Sequence, residues 1–322
     1  MVNGCFDNGR VLKADYFEIT VTDIDYQIIS EQYDFEFIGC DVWASTYDYL
    51  PTELREYLKQ LFTDKTALKG VDAMADSYFR AKVKINSAYG LTAQNPVRIP
   101  IKFNGLQLEE DIDADITELL EISKNRAFMP YQWGVWVTAW ARWHLQQAIN
   151  LVGDDFIYTD TDSVKYIGEH NFSKLNEFYF NRSKENGGFA DDKNGKTHYL
   201  GVFEAEDTAD RFITLGAKKY AAEYNGKIKI TLAGVNKKKG GEELKEKGGL
   251  SAFKKGLIFE KAGGNEVFYN DISKPYKVKT HGETVEIRSN CYIRDGVYTL
   301  GITDEYQALL EYSNYILRND TK

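Results

Sequence analysis

Two carboxylates on one short turn are the clearest chemical signal in this chain. Asp160 and Asp162 lie in Tyr158-Thr159-Asp160-Thr161-Asp162-Ser163, after the apolar Phe156 and Ile157 and before the alternating Val164, Tyr166 and Ile167. The pattern predicts a β-hairpin with both acids at its tip. Residues two apart on extended chain point the same way, so two anions would share a small volume that a cation would relieve. Mg²⁺ fits, because it binds through a few carboxylates and otherwise through water and substrate phosphates. On these six residues alone an ordinary turn is an equal reading, since Asp and Ser bond nearby backbone in turns. A calcium loop is excluded: its sixth position would be Lys165 rather than glycine, and its twelfth, Asn171, is not a bidentate glutamate.

A second constellation lies upstream. Lys82-Val83-Lys84-Ile85-Asn86-Ser87-Ala88-Tyr89-Gly90 ends a helical pattern that begins near Val71. Lys82 and Asn86 are four apart and share a helix face. The ammonium can meet a triphosphate as a point charge, while Tyr89 and Gly90 offer a flat ring and a bare backbone to a base pair. The plain alternative is an amphipathic helix with a solvated lysine and a glycine cap.

Taken together, the Lys82-x3-Asn86-Ser87-x-Tyr89-Gly90 string and, about seventy residues later, the Tyr158-x-Asp160-Thr161-Asp162-Ser163 string resemble motifs B and C of the family B DNA polymerases. The likeness is greatest to the protein-primed polymerases of bacteriophages and linear plasmids. Three further stretches follow the same order: Val21 to Tyr26, Val137 to Arg142, and Leu215-Gly216-Ala217-Lys218-Lys219-Tyr220, the last similar to the family's KxY motif. The resemblance runs from about residue 15 to 240. It implies an α+β fold: a palm of antiparallel sheet with packed helices, a helical fingers hairpin, and an α+β thumb.

The resemblance also implies roles. Asp162 would be the main ligand of a two-Mg²⁺ site and Asp160 its partner; Lys82 would neutralise the triphosphate; Asn86, Tyr89 and Gly90 would shape the dNTP and nascent base-pair site. Lys218, Lys219 and Tyr220 would contact the primer strand. The implied partners are a primed DNA template, dNTP and, in the protein-primed branch, a terminal protein. The family's N-terminal exonuclease domain and its motif A, an Asp followed by a Ser-Leu-Tyr-Pro-like turn, have no counterpart here. Asp25 is followed by Ile28 and Ile29 where small and aromatic residues are expected, and no Tyr-Pro follows. Asp23 and Asp25 read instead as cap residues before a helix from Tyr26 to Tyr33. The chain thus resembles the C-terminal half of such a polymerase, and its metal site would be completed by motif A on an N-terminal partner chain. A non-catalytic DNA-binding remnant is the other reading.

Composition sets the compartment. The 3 cysteines, at positions 5, 40 and 291, give neither a disulfide framework nor a zinc site. No signal-peptide pattern opens the chain and no run approaches the ~18 apolar residues of a membrane span. A soluble cytoplasmic protein with no membrane partner is expected, in the host cytoplasm if phage-encoded. The net charge of −9 conceals an asymmetry: Arg211 to Lys261 carries 13 Lys and Arg against 5 Asp and Glu. Such a basic segment is an electrostatic footprint for phosphate. Gln107 to Glu121, with seven acids and no base, is expected on an outer face.

The elements that must position these residues follow. Residues 1–50 form a palm entry, with strand patterns at Val11 to Ile19 and Tyr33 to Ile38. Residues 51–95 form the fingers, as helices Thr52 to Phe62 and Val71 to Leu91 joined by a linker. Lys65, Lys69 and Arg80 there read as solvated surface charge. Residues 96–130 form an insertion, in the place where the family's strand-displacement insertion lies. Residues 131–210 form the palm with motif C, entered by a helix after Pro130 whose tryptophans at 133, 136, 140 and 143 make a packing stripe. Residues 211–322 form the thumb and tail. In it, Asn225-Gly226 marks a hairpin, Lys237-Lys238-Lys239-Gly240-Gly241 reads as a flexible basic loop on duplex phosphates, three strand patterns run from Tyr276 to Leu300, and a final helix is expected from Asp304 to Leu317.

Overall fold

The computed structural model describes residues 1–7, 10–46, 48–93, 100–103, 108–110, 115–126, 129–269, 276–280, 283–287, 291–304 and 306–308. In chain order its elements are β1 Cys5–Asp7, β2 Arg10–Lys13, α1 Asp23–Gln32, α2 Thr52–Leu68, α3 Ala75–Ala88, β3 Ile101–Phe103, β4 Leu108–Glu110, α4 Ile116–Arg126 and α5 Tyr131–Val152. There follow β5 Phe156–Asp160, β6 Ser163–Tyr166, α6 Ser173–Glu185, β7 Phe189–Asp191, β8 Thr197–Tyr199, β9 Arg211–Thr214, β10 Lys219–Tyr224, β11 Lys227–Leu232 and α7 Lys237–Glu246. The tail carries β12 Ile258–Phe259, β13 Asn265–Tyr269, β14 Tyr276–Thr280, β15 Glu283–Ile287, β16 Cys291–Asp295 and β17 Tyr298–Thr299. Helices mixed with small antiparallel sheets make this an α+β chain. No helix among the described residues is long and apolar enough to cross a membrane.

The chain divides into a central unit, Thr20–Ile101 and Glu110–Ala205, and a terminal unit, Met1–Ile19, Lys102–Glu109 and Glu206–Lys322. In the central unit α1 starts on a capping box. The Thr22 hydroxyl accepts from the Asp25 backbone N–H at 3.0 Å and donates to the Asp25 carboxylate at 2.9 Å, which satisfies orphan groups of the first turn. Helix α2 packs along α3 and against β7. Two lysines tie this base: Lys193 Nζ donates to the Gly70 carbonyl at 2.6 Å and Lys59 Nζ to the Asn186 carbonyl at 3.2 Å. Helix α5 packs on α1 and on β6.

The terminal unit is built on the antiparallel sheet β11-β10-β9. Asn225 and Gly226 both have positive φ, 49° and 74°, the conformation that a two-residue turn matched to strand twist requires. Helix α7 covers β11. Behind it a continuous core gathers Leu215, Ala221, Ile230, Leu232, Leu244, Leu250, Phe253, Phe259 and Leu300.

Several local expectations are corrected. The basic stretch at Lys237 is the first turn of α7, capped by Asn236, whose side chain accepts from the Lys238 and Lys239 N–H groups at 3.1 Å. The glycines give closeness here rather than flexibility. A Cβ on Gly240 would lie 2.3 Å from Ile230 Cδ1, and one on Gly241 2.6 Å from the Ile228 carbonyl oxygen, so only glycine lets the helix sit on the strand. Tyr33 to Ile38 is irregular, and β2 ends at Lys13. Helix α2 runs on through Leu68, consuming most of the expected linker, because its apolar spacing continues to Leu61, Phe62 and Leu68. Helix α1 begins at Asp23, before the expected Tyr26, because Thr22 supplies the cap. The four tryptophans of α5 are half-buried; the buried positions of that helix are Gly134, Ala139, Gln146, Ala148 and Val152. The expected final helix falls largely outside the described residues.

Candidate functional site

The β5–β6 hairpin places both acids at its tip. Asp160 ends β5 and pairs with Ser163, which opens β6, leaving Thr161 and Asp162 as a two-residue turn. The turn is locked by its own hydroxyls. Thr159 Oγ1 donates to the Ser163 carbonyl at 2.9 Å, Ser163 Oγ to the Asp160 carbonyl at 3.2 Å, and Thr161 Oγ1 to the Asp160 carboxylate at 3.1 Å. Thr161 has φ of 60°, a left-handed conformation that costs a β-branched residue on the order of 1–3 kcal/mol and concentrates at functional sites. This corrects the geometric argument from sequence. Asp160 and Asp162 are not alternate residues of one extended strand; a tight turn, with the Asp162 N–H on the Asp160 carbonyl at 2.8 Å, separates them. Asp160 is half-buried and Asp162 exposed.

The hairpin's open end is fastened as firmly as its tip. Ile167 N–H donates to the Asp155 carbonyl at 2.9 Å, and His170 Nε2 lies 2.8 Å from the Asp155 carboxylate. Tyr166 is edge-on to the His170 ring and stacked on Phe172.

Helix α3 carries the other constellation. Lys82, Asn86 and Tyr89 are all exposed and lie at i, i+4 and i+7, along one face. The Lys82 ammonium stands 5.9 Å from the Tyr78 ring centroid, one turn back on the same face. Tyr89 is the C-cap of α3, and its carbonyl accepts from the Thr92 N–H at 3.0 Å and from the Thr92 hydroxyl. Thr92 and Ala93 press on Gly134 of α5, where an added Cβ would lie 2.4 Å from Thr92 Oγ1 and 2.7 Å from Ala93 Cβ. Helix α5 then leads through the turn at Gly153–Asp155 into β5. One helix therefore receives the end of the first motif at its N-terminus and delivers the second at its C-terminus.

As a Mg²⁺ site the hairpin is a partial fit. It offers two carboxylates, one of them exposed, in keeping with a cation that keeps water and phosphate in its shell. Among the described residues no cluster of three or more His, Cys, Asp or Glu side chains could hold a metal ion.

The spacing of these two constellations can be set against known proteins. The chain is 28% identical over 176 residues to the DNA polymerase of Bacillus phage PZA, 28% over 175 residues to that of Bacillus phage B103, and 27% over 176 residues to that of Bacillus phage phi29. The likeness is to phage DNA polymerases. The matches cover 51%, 52% and 51% of this chain. They span only about 27% of the length of those polymerases. No family profile matches the chain, and no solved structure does.

Two stretches that supported the resemblance to phage polymerases turn out to hold each other. Arg142, from the Val137 to Arg142 string, makes a bidentate pair with Asp25, from the Val21 to Tyr26 string: Nε to Oδ1 at 2.7 Å and Nη2 to Oδ2 at 3.0 Å. Burial pushes the Asp25 carboxyl up, but the Arg142 hydrogen bonds, with those from Thr22, outweigh it and hold the group below its ordinary value. At the far end of the same helices Asn150 donates to Glu31 at 3.2 Å. Sequence reasoning placed Asp25 in a cap; it missed Arg142, since nothing local marks a partner 117 residues away. Beside this pair, His144 Nδ1 lies 2.8 Å from the Tyr179 hydroxyl. Burial, helped by the Arg182 charge, lowers the His144 pKa from its ordinary value.

The remaining sequence-marked residues belong to the terminal unit. Lys218 occupies the β9–β10 turn with φ of 58° and is exposed. Lys219, opening β10, is half-buried and donates to the Gly301 carbonyl at 2.8 Å. Tyr220 packs at 5.6 Å against the Phe212 ring. Lys237, Lys238 and Lys239 are exposed on the first turn of α7, where the helix dipole disfavours cations and a phosphate would offset that cost.

Proposed function

We propose that this chain is the C-terminal half of a template-directed DNA polymerase, transferring a nucleotidyl group from dNTP to a primer 3′-hydroxyl, with pyrophosphate leaving, in the replication of phage or mobile-element DNA. The observation that carries the reading is the run of contact from Tyr89 and Thr92 through Gly134 of α5 to the Asp160–Asp162 hairpin, which puts both motifs in one unit. The similarity to phage DNA polymerases supports the same class of function. On this reading the central unit supplies palm and fingers and the terminal unit the thumb.

The residues would work as follows. Bound Mg²⁺ would activate the 3′-hydroxyl and stabilise the leaving oxygens. Asp162 and Asp160 would hold it from this chain, with Thr161 and Ser163 fixing their turn. Lys82 would offset triphosphate charge from the exposed face of α3, and Asn86, Tyr89 and Gly90 would shape the base-pair site. Lys218 and Tyr220 would hold the primer end. Most of the rate would come from positioning and charge neutralisation, as in phosphoryl transfer generally.

The chain would need a partner polypeptide that brings the motif A carboxylate, and the exposed apolar surface of the central unit supports that need. Ile38, Val42 and Trp43, within six residues of one another, are 78–82% exposed, apolar side chains that a partner could cover. A two-carboxylate hairpin without its third ligand also fits a second reading, a DNA-binding remnant without activity. One experiment separates the two: extension of a primed template in Mg²⁺ by the purified chain alone and with an added N-terminal chain carrying a D-x-x-S-L-Y-P string. Extension only in the mixture is expected. No extension in the mixture, with DNA binding retained, would leave the remnant; robust extension by this chain alone would place a third carboxylate within it.

A further inference from the structure

Two clefts on the terminal unit have opposite electrostatic character. One, about 260 Å³, is lined by Lys239, Glu242, Glu243, Glu246 and Lys261, three acids against two bases, a lining that does not favour an anion. The other, about 490 Å³, lies around the turn that follows α7; its lining includes Lys247, Gly248, Ser251, Lys254, Lys255 and Gly256, and no acid.

The three lysines of this second cleft are not equivalent. Lys247 is committed to the protein: its ammonium lies 3.0 Å from Glu243, a buried carboxylate, and donates to the Ile258 carbonyl. That carboxylate also accepts from the Glu260 and Lys261 backbone N–H groups at 2.6 and 3.1 Å, so Lys247 forms a fixed wall. Lys255 pairs at 3.0 Å with Asp304, whose side chain is 94% exposed. Such a solvated ion pair is worth little, and a phosphate can replace the aspartate. Lys254 is exposed, as is Ser251, whose hydroxyl can donate. Gly256 presents no side chain that would hold a phosphate off the surface.

We infer that this cleft, through Lys254, Lys255 and Ser251, seats a phosphodiester of a nucleic-acid backbone, a contact separate from the lysines of α7. The inference rests on the polymerase reading only in taking DNA as the polyanion. An open cleft with two exchangeable lysines holds a small free anion weakly, whereas on a polyanion each such contact releases a counterion and adds to affinity. Lysine as a point charge suits a backbone whose position along the cleft varies with sequence register.

The test uses the full chain and a labelled primed duplex, with binding followed from about 50 to 200 mM salt. Lys254→Gln with Lys255→Gln should flatten the slope of log K against log salt by one to two contacts, each worth about 0.9. Lysine acetylation read by mass spectrometry gives a second measure in the unaltered protein. Duplex should protect Lys254 and Lys255, and inorganic pyrophosphate should leave them reactive. An unchanged slope in the double variant, with a flattened one when Lys237, Lys238 and Lys239 become Gln, would overturn the cleft and leave the DNA reading standing. Protection by pyrophosphate rather than duplex would overturn it in favour of a small-anion site. Loss of DNA binding in the unaltered chain would sink both.

Discussion

The two units of this chain close their cores to different degrees. The terminal unit buries Phe253, Phe259, Leu244 and Leu300 almost completely, in one continuous cluster with the inner face of its sheet. The central unit, which holds both chemical motifs, buries Ile24, Leu61, Val152, Tyr158 and Tyr179 beside the alanines at 81, 139, 148 and 190, but among the described residues none of its large side chains is closed off as completely. Other large apolar side chains of this unit face solvent, among them Trp43 at 81%, Tyr49 at 70% and Phe79 at 64%. On the proposed reading, a unit that bound phosphate backbone without reading sequence could be self-sufficient, whereas one that had to assemble metal, triphosphate and primer would need surfaces that others complete.

The largest effect should fall on the turn itself. In the enzyme reconstituted with its partner chain, Asp162→Asn should lower the single-turnover rate on the order of 10³-fold while duplex affinity stays level, since it removes charge that matters most in the transition state. Near-normal turnover would move the chemistry away from the hairpin. Next comes the contrast in packing. Phe259→Ala should destabilise the terminal unit by about 3–5 kcal/mol, whereas Trp43→Ala should change the isolated chain by less than about 0.5 kcal/mol and instead weaken association with the partner chain. Denaturant unfolding of both variants checks this, and equal losses would show that the central unit packs Trp43 in solution.

A smaller change is expected when charge is removed from α7. Replacing Lys237, Lys238 and Lys239 by Gln should flatten the salt dependence of DNA binding by up to about three phosphate contacts, with no change in sequence preference. Sequence-specific binding would contradict backbone contact by this unit.

The central unit's long-range pairs should then give the subtlest signals. Arg142→Ala should cost about 1–2 kcal/mol, because Asp25 loses a charged bidentate partner that is itself half-exposed. The sign of the pH effect follows from the lowered Asp25 pKa. Its contribution is complete above the ordinary value of 3.8 and is lost as pH falls through the lower folded value. The deficit of Arg142→Ala should therefore shrink on acidification below about pH 3.8. His144 acts in a higher window. Its folded pKa is depressed below the ordinary 6.5, so its contribution is present above that value and fades as pH falls towards the folded one. His144→Gln should remove that limb from a melting-temperature profile, and a profile unchanged from the unaltered chain would contradict a buried neutral imidazole.

Much of what could be read locally was legible before any coordinates. The turn chemistry of Thr159 to Ser163 implied the β5–β6 hairpin, Asn225-Gly226 implied β10–β11, and the run after Pro130 implied α5, because each depends on residues within a few positions of one another. Motif order along the chain likewise pointed to phage polymerases. Tertiary contact decided the rest. Within the hairpin the left-handed Thr161, which no periodicity rule foresaw, sets the two aspartates on either side of a turn rather than along a strand. The stretch at 237–241 lies as a helix on β11 because Gly240 leaves room for the Ile230 side chain and Gly241 for the Ile228 carbonyl, closer than any side chain allows. Arg142 found Asp25 across 117 residues, and the terminal unit drew together residues from both ends of the chain and from 102–109. Periodicity and turn rules reach only along neighbouring residues; burial, close approach and ion pairing depend on which surfaces meet, and only the folded chain specifies that.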